Sequence, residues 1–321
     1  MSDKKFEKLV AVEALNLFTG ANERLAERAK EYVFYDDVPS SEEEVIRRAK
    51  DADGILVNLS TQITANIIEH CPKLRYIGMC CSLYDESSAS VDIRCAREHG
   101  ITVYGVSDYG DNGVGEYVVS QLICLLNGFN GKRWGDHPLE LTGVPVGIIG
   151  MGKISRLVVK KLSGFEMNIL ATDPYVKQAD VEGLGITMAT PEELYAKSDF
   201  VIVHTSLFPS TFHLVGAEQF KAMKNTAFII NAARGAVIDE AAMIEALKSG
   251  EIAGAGLDVF EQEPPADDNP LFSMENVIVS PHNAALSDGA LRAMAMDSAQ
   301  GITEYLTGKP VTYPVNKEVL K

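Results

Sequence analysis

Val146-Gly147-Ile148-Ile149-Gly150-Met151-Gly152-Lys153-Ile154-Ser155 runs from apolar strand residues into a glycine-rich turn that opens a helix. That order of residue types suits a pyrophosphate. Gly150 permits the tight turn, and Gly152 lets backbone amides approach a phosphate at the helix N-terminus. A third glycine in such turns serves close helix–strand packing; Ser155, small enough to substitute, stands in its place. A second strand follows and ends in Asp173, 23 residues after Gly150. A carboxylate at that position accepts both hydroxyls of an adenosine ribose. It also repels a 2′-phosphate, so the expected cofactor is NAD rather than NADP. The plainer alternative is a glycine turn in a generic α/β fold with a surface aspartate.

The elements around this turn alternate. Apolar strand runs are expected at Leu9 to Leu15, Tyr32 to Tyr35, Gly54 to Asn58, Leu74 to Met79 and Ile101 to Val106. Amphipathic helical stretches separate them at Ala21 to Lys30, Ser41 to Lys50, Ile63 to His70 and Val91 to His99. Ser40 and Ser41 ahead of Glu43 and Glu44 supply a cap and an acidic first turn. After a long helix at Gly113 to Leu126 and a loop-like stretch to Gly143, strands recur. They lie at Val146 to Ile149, Asn168 to Thr172, Phe200 to His204, Ala227 to Asn231, Ala253 to Val259 and Val277 to Val279. A last helix covers Ser287 to Leu306. Strand–helix alternation at this spacing builds βαβ units and parallel sheets. The expected architecture is α/β with two doubly wound parallel-sheet domains: residues 113–287 in one, residues 1–112 and 288–321 in the other.

Bulk properties narrow the partners. The 321 residues can fill two cores, 46% being hydrophobic. A net charge of −16 repels a phosphate backbone, which speaks against nucleic acid. No apolar run approaches 18 residues, so no membrane span or export segment is expected. Cys71, Cys80, Cys81, Cys95 and Cys124 form an odd set without metal-ligand spacing. They read as reduced thiols of a cytoplasmic protein that needs no metal.

Four further segments, in order, resemble the D-isomer-specific 2-hydroxyacid dehydrogenases. They are Val203-His204-Thr205-Ser206-Leu207, Asn231-Ala232-Ala233-Arg234-Gly235-Ala236-Val237-Ile238-Asp239-Glu240, Gly256-Leu257-Asp258-Val259-Phe260-Glu261-Gln262-Glu263-Pro264 and Ser280-Pro281-His282-Asn283-Ala284. The resemblance implies a Rossmann NAD-binding domain at 113–287 and a flavodoxin-like substrate (lid) domain. It implies hydride transfer between NAD(H) and a small 2-oxo or D-2-hydroxy acid, with Arg234, Glu263 and His282 as the catalytic set. The chemistry suits those types. Histidine titrates near neutrality and can deliver a proton to a developing alkoxide. A glutamate on its far ring nitrogen orients the ring, and a guanidinium fork holds the substrate carboxylate and carbonyl. By the same match Gly150, Gly152, Lys153, Ile154, Asp173, His204, Thr205, Ala232, Ala233 and Asp258 contact the cofactor, Asp258 at its carboxamide. Asp258 also reads as a plain strand-end cap.

The chain departs from the family at the substrate loop, Met79-Cys80-Cys81-Ser82-Leu83-Tyr84-Asp85-Glu86-Ser87-Ser88, which lacks the usual glycines. Ser82 and Leu83 are expected to offer amides to the substrate, and Tyr84 to shape its pocket. No arginine or lysine stands there, which disfavours a phosphorylated substrate. The resemblance implies a homodimer, although the stretch 127–143 is shorter than is usual in the family. Two other readings stay open. One is a catalytically silent NAD-sensing, corepressor-like protein, against which the Arg, Glu and His set argues. The other is a phosphite- or formate-type dehydrogenase; Glu263 argues against the formate branch, where a glutamine is expected.

Overall fold

The computed structural model describes residues 5–15, 20–58, 60–82, 89–128, 137 and 139–316. The chain divides into two compact units, Met1–Gly110 with Asp288–Lys321, and Asp111–Ser287.

In the first unit, strands and helices alternate as β1 (Phe6–Ala11), α1 (Ala21–Ala26), β2 (Ala29–Phe34), α2 (Glu42–Ala49), β3 (Gly54–Val57), α3 (Ala65–Glu69), β4 (Tyr76–Ser82), α4 (Ile93–Glu98) and β5 (Thr102–Val106). The five strands are parallel in the order β2-β1-β3-β4-β5, the flavodoxin-like winding. Inner strands of such a sheet are covered on both faces, so stretches of them read as continuous apolar runs rather than alternating ones, as β3 does. This displaced the expected first strand. Val12, Glu13 and Leu15 are as buried as β1 itself, and no polar-out residue marks where pairing stops. The helix expected to reach Lys30 ends at Ala26, because Ala29–Phe34 pairs with β1. Ser41 caps α2 as expected, its hydroxyl accepting the Glu44 N–H.

The second unit begins with α5 (Asp111–Asn127) and continues with β6 (Pro145–Ile149), α6 (Lys153–Leu162), β7 (Asn168–Thr172), β8 (Ile186–Met188), α7 (Pro191–Lys197), β9 (Phe200–Val203), α8 (Ala217–Ala222), β10 (Phe228–Asn231), α9 (Glu240–Ser249), β11 (Gly254–Leu257) and β12 (Val277–Val279). The final helix, α10 (Asp288–Thr307), belongs to the first unit. The seven strands are all parallel, in the order β12-β11-β10-β9-β6-β7-β8. This is the Rossmann winding with one extra strand, and its order reverses between β6 and β9. Ligands of open α/β sheets sit beyond the carboxyl ends of the strands at such a reversal. The edge strand β8 escaped the sequence reading because three residues are too few to show a pattern. Apolar side chains from α5 and α6 cover one face of the sheet, and those from α7, α8 and α9 cover the other.

Candidate active site

The residues singled out in the second unit all follow carboxyl ends of its strands. The glycine turn follows β6, Asp173 β7, His204 β9, Arg234 β10, Asp258 β11 and His282 β12. Parallel pairing therefore gathers onto one edge residues that are up to 132 positions apart in the chain.

At the reversal, Gly150 has φ 89°, a left-handed conformation that favours glycine. A Cβ there would lie 2.8 Å from the His204 carbonyl oxygen. Gly152 caps α6 with no side-chain hydrogen bond and faces open space. The first N–H groups of a helix have no intrahelical partner, so this end of α6 can take a phosphate group. Ser155 does more than fill the glycine position: its hydroxyl donates to the Gly150 carbonyl at 2.6 Å and is buried. Asp173 accepts the Met151 N–H on Oδ2 and the Tyr175 N–H on Oδ1, both at 2.8 Å. It thus braces the turn and retains a second lone pair on each oxygen. Lys153 ion-pairs with Asp111 at 2.8 Å. Ile154, Thr205, Ala232 and Ala233 are half-buried along the same edge. Burial pushes the His204 ring down to about 4, so it is neutral at ordinary pH, and its buried Nε2 has no partner among the described residues. An open helix start, a braced carboxylate and an orphan ring nitrogen fit a dinucleotide.

The acid–base candidates meet directly. His282 Nδ1 and Glu263 Oε2 are 2.6 Å apart, and Glu263 Oε1 accepts the Phe260 N–H at 3.0 Å. Burial raises the Glu263 carboxyl. The hydrogen bonds from His282 and Phe260, with the nearby charges of His282 and Arg234, outweigh that and hold it below its ordinary 4.5. An ionised Glu263 accepts a hydrogen bond from the Nδ1–H of His282, which leaves Nε2 for a reacting group. Asn231, given no role of its own in the sequence reading, shapes the Arg234 turn. Its Oδ1 accepts the Ala233 N–H and its Nδ2 donates to the Arg234 carbonyl, each at 3.0 Å. An asparagine ending a strand is a recognised turn-former and was the available signal. Gly235 locks this turn against the loop bearing Glu263: a Cβ there would collide with the Phe260 carbonyl group.

Asp258 is 1% exposed. Its Oδ1 accepts from the Ser280 hydroxyl at 2.6 Å and the Asn283 N–H at 2.9 Å, and its Oδ2 accepts from the Ala284 N–H at 2.9 Å. Three of its roughly four acceptor positions therefore serve the loop that carries His282. In the first unit, Ser82 ends β4, its backbone paired with Val106. Leu83 and Tyr84 lie outside the described residues.

Residues 124–284 match the D-isomer specific 2-hydroxyacid dehydrogenase, NAD binding domain. The chain belongs to this family. The NAD-binding match falls wholly within the second unit. A glyoxylate reductase of Korarchaeum cryptofilum is 35% identical over 302 residues, 89% of either chain. A D-3-phosphoglycerate dehydrogenase of Methanocaldococcus jannaschii is 36% identical over 289 residues, which span 86% of this chain and only 54% of that one. The chain thus spans about half the length of that relative. Among solved structures, the D-lactate dehydrogenase of Escherichia coli superposes with a TM-score of 0.81 at 26% identity, covering 96% of this chain and 99% of its own. Among the described residues of this family member, no helix is long and apolar enough to cross a membrane, and no His, Cys, Asp and Glu group could hold a metal ion.

Proposed function

We propose that the protein interconverts a small 2-oxo acid and the D-2-hydroxy acid with NAD(H), using His282 and Glu263 as its acid–base pair and Arg234 as substrate anchor. The 2.6 Å contact between His282 and Glu263, under the charge of Arg234, carries this reading. When bound, the dinucleotide supplies or accepts the hydride. The open start of α6 and the Gly152 amide receive its pyrophosphate, and Asp173 takes the ribose hydroxyls, which favours NAD over a 2′-phosphorylated cofactor. In the reducing direction, Glu263 holds imidazolium in place through Nδ1, and Nε2 donates a proton to the substrate oxygen. In the oxidising direction Nε2 accepts that proton. Arg234 binds the substrate carboxylate through two parallel N–H groups. Asp258 retains an acceptor position for the cofactor carboxamide. Ser82, Leu83 and Tyr84 are the remaining candidates for substrate binding, and a cytoplasmic homodimer is the expected assembly.

NADH oxidation against glyoxylate, pyruvate, hydroxypyruvate and larger 2-oxo acids tests this reading. His282→Ala is expected to lower kcat by roughly 10²- to 10⁴-fold with NADH binding retained, the usual contribution of a general acid. Undiminished turnover would remove His282 from the chemistry. NADH binding without turnover of any oxo acid would favour the sensor.

A further inference from the structure

His282 has φ 51°, a left-handed backbone that a non-glycine residue rarely adopts. Such a conformation persists where surrounding contacts over-determine it. Here the His282 N–H donates to the Asp258 carbonyl at 2.8 Å, while the Asp258 side chain holds the next two amides, Asn283 and Ala284. The Ser280 hydroxyl completes the set at Asp258 Oδ1. Ser280 has one proton and spends it on Asp258, so it can only accept from the group on its other side. That group is the hydroxyl of Tyr117, 2.8 Å away on α5. Burial raises the Tyr117 hydroxyl, to about 12 even with the opposing hydrogen bond to Ser280, so it keeps its proton to donate.

We propose that Tyr117 is a positioning residue for His282, acting through Ser280 and Asp258 on the 280–284 loop. The inference rests on the acid–base reading of His282. The donors run in one direction, Tyr117 to Ser280 to Asp258, and each link polarises the next. Packing alone does not call for a hydroxyl at this place. α5 otherwise buries Val118, Leu122, Leu125 and Leu126 against the sheet, and phenylalanine would fill the same space as tyrosine. Without the incoming proton, Ser280 is free to turn toward the Leu257 carbonyl, its alternative acceptor at 3.5 Å. Asp258 then loses its shortest contact, the left-handed turn loosens, and the imidazole departs from its line to Glu263.

The test compares Tyr117→Phe, Ser280→Ala and the double variant with the unsubstituted enzyme, using an oxo acid that it reduces. Each single change is expected to lower kcat about tenfold, as small misplacements of a reacting group do, with KM and NADH affinity held within about twofold. Because both act through one chain of bonds, the double variant should lose no more than Ser280→Ala alone. Ser280→Thr, which keeps the hydroxyl, should restore activity. Independently of turnover, the Asn283 and Ala284 amides should exchange with deuterium faster in Tyr117→Phe. Unchanged kcat and exchange in Tyr117→Phe, or losses that add in the double variant, would overturn the proposal. If the unsubstituted enzyme reduces no oxo acid, the functional reading fails, while amide exchange still decides whether Tyr117 holds the loop.

Discussion

Both units bury a carboxylate where a strand ends, and they treat it in opposite ways. Asp258 in the second unit spends its oxygens on a hydroxyl and two amides of one loop. Glu13, just after β1 in the first unit, is fully buried and its Oε1 accepts the Asn58 N–H at 2.6 Å, while Oε2 has no partner among the described residues. Close by in that unit, burial pushes the Cys80 and Cys81 thiols up to about 11 and about 12, which leaves them protonated and unreactive. Tyr76 likewise buries a hydroxyl with no partner among the described residues. A saturated network holds reacting groups in one geometry, whereas unspent polar groups carry a stability cost. The match to the family's NAD-binding domain falls entirely on the unit of Asp258, where the His204 ring nitrogen is the unspent group beside the bonded network.

The contrast would break most visibly at Gly235. If the loop edge of the second unit is as rigid as its contacts imply, Gly235→Ala should cost about 3 kcal/mol of stability and lower kcat at least 100-fold, because the Phe260 backbone blocks any Cβ. A thermal melt and a turnover assay check this together; a tolerated alanine would mean the two loops can part. Asp173→Ser should weaken NADH binding about tenfold and narrow the preference for NADH over NADPH, since the variant loses a charged acceptor and the brace on Met151. Fluorescence titration with both cofactors measures it, and a wild type that already prefers NADPH would contradict the assignment.

Acid sharpens the comparison further. The folded Glu263 carboxyl titrates below its ordinary 4.5. Its contribution to stability is therefore fully present above that value and fades as the pH falls through the lowered one. Glu263→Gln should flatten the acid limb of the melting temperature plotted against pH, and an unaltered limb would argue against the pair with His282. The smallest effect belongs to the first unit. Tyr76→Phe removes a buried hydroxyl that bonds to none of the described residues, and should raise stability by about 1 kcal/mol in chemical denaturation. A loss instead would show that the hydroxyl is satisfied in solution.

Much of this was legible because it is local. A glycine turn, the strand before it and an acidic residue at the next strand end lie within 28 residues, and their meaning follows from backbone geometry. Strand–helix alternation was legible for the same reason, since apolar periodicity acts over one element at a time. Boundaries were less so. β1 was read too late, and β8 was missed, because doubly covered strands carry no alternating mark and a three-residue edge carries too little.

The sequence by itself determined the fold class, the family and the identity of the residues at each strand end. Tertiary structure decided what those residues do to one another. Nothing in the order of residues says that Asp258 braces the His282 loop, that Asn231 shapes the Arg234 turn, or that Tyr117 reaches Ser280 from 163 positions away. Those relations depend on which strand lies beside which and on where a helix crosses the sheet. They are products of packing, and packing is a property of the whole chain rather than of any segment.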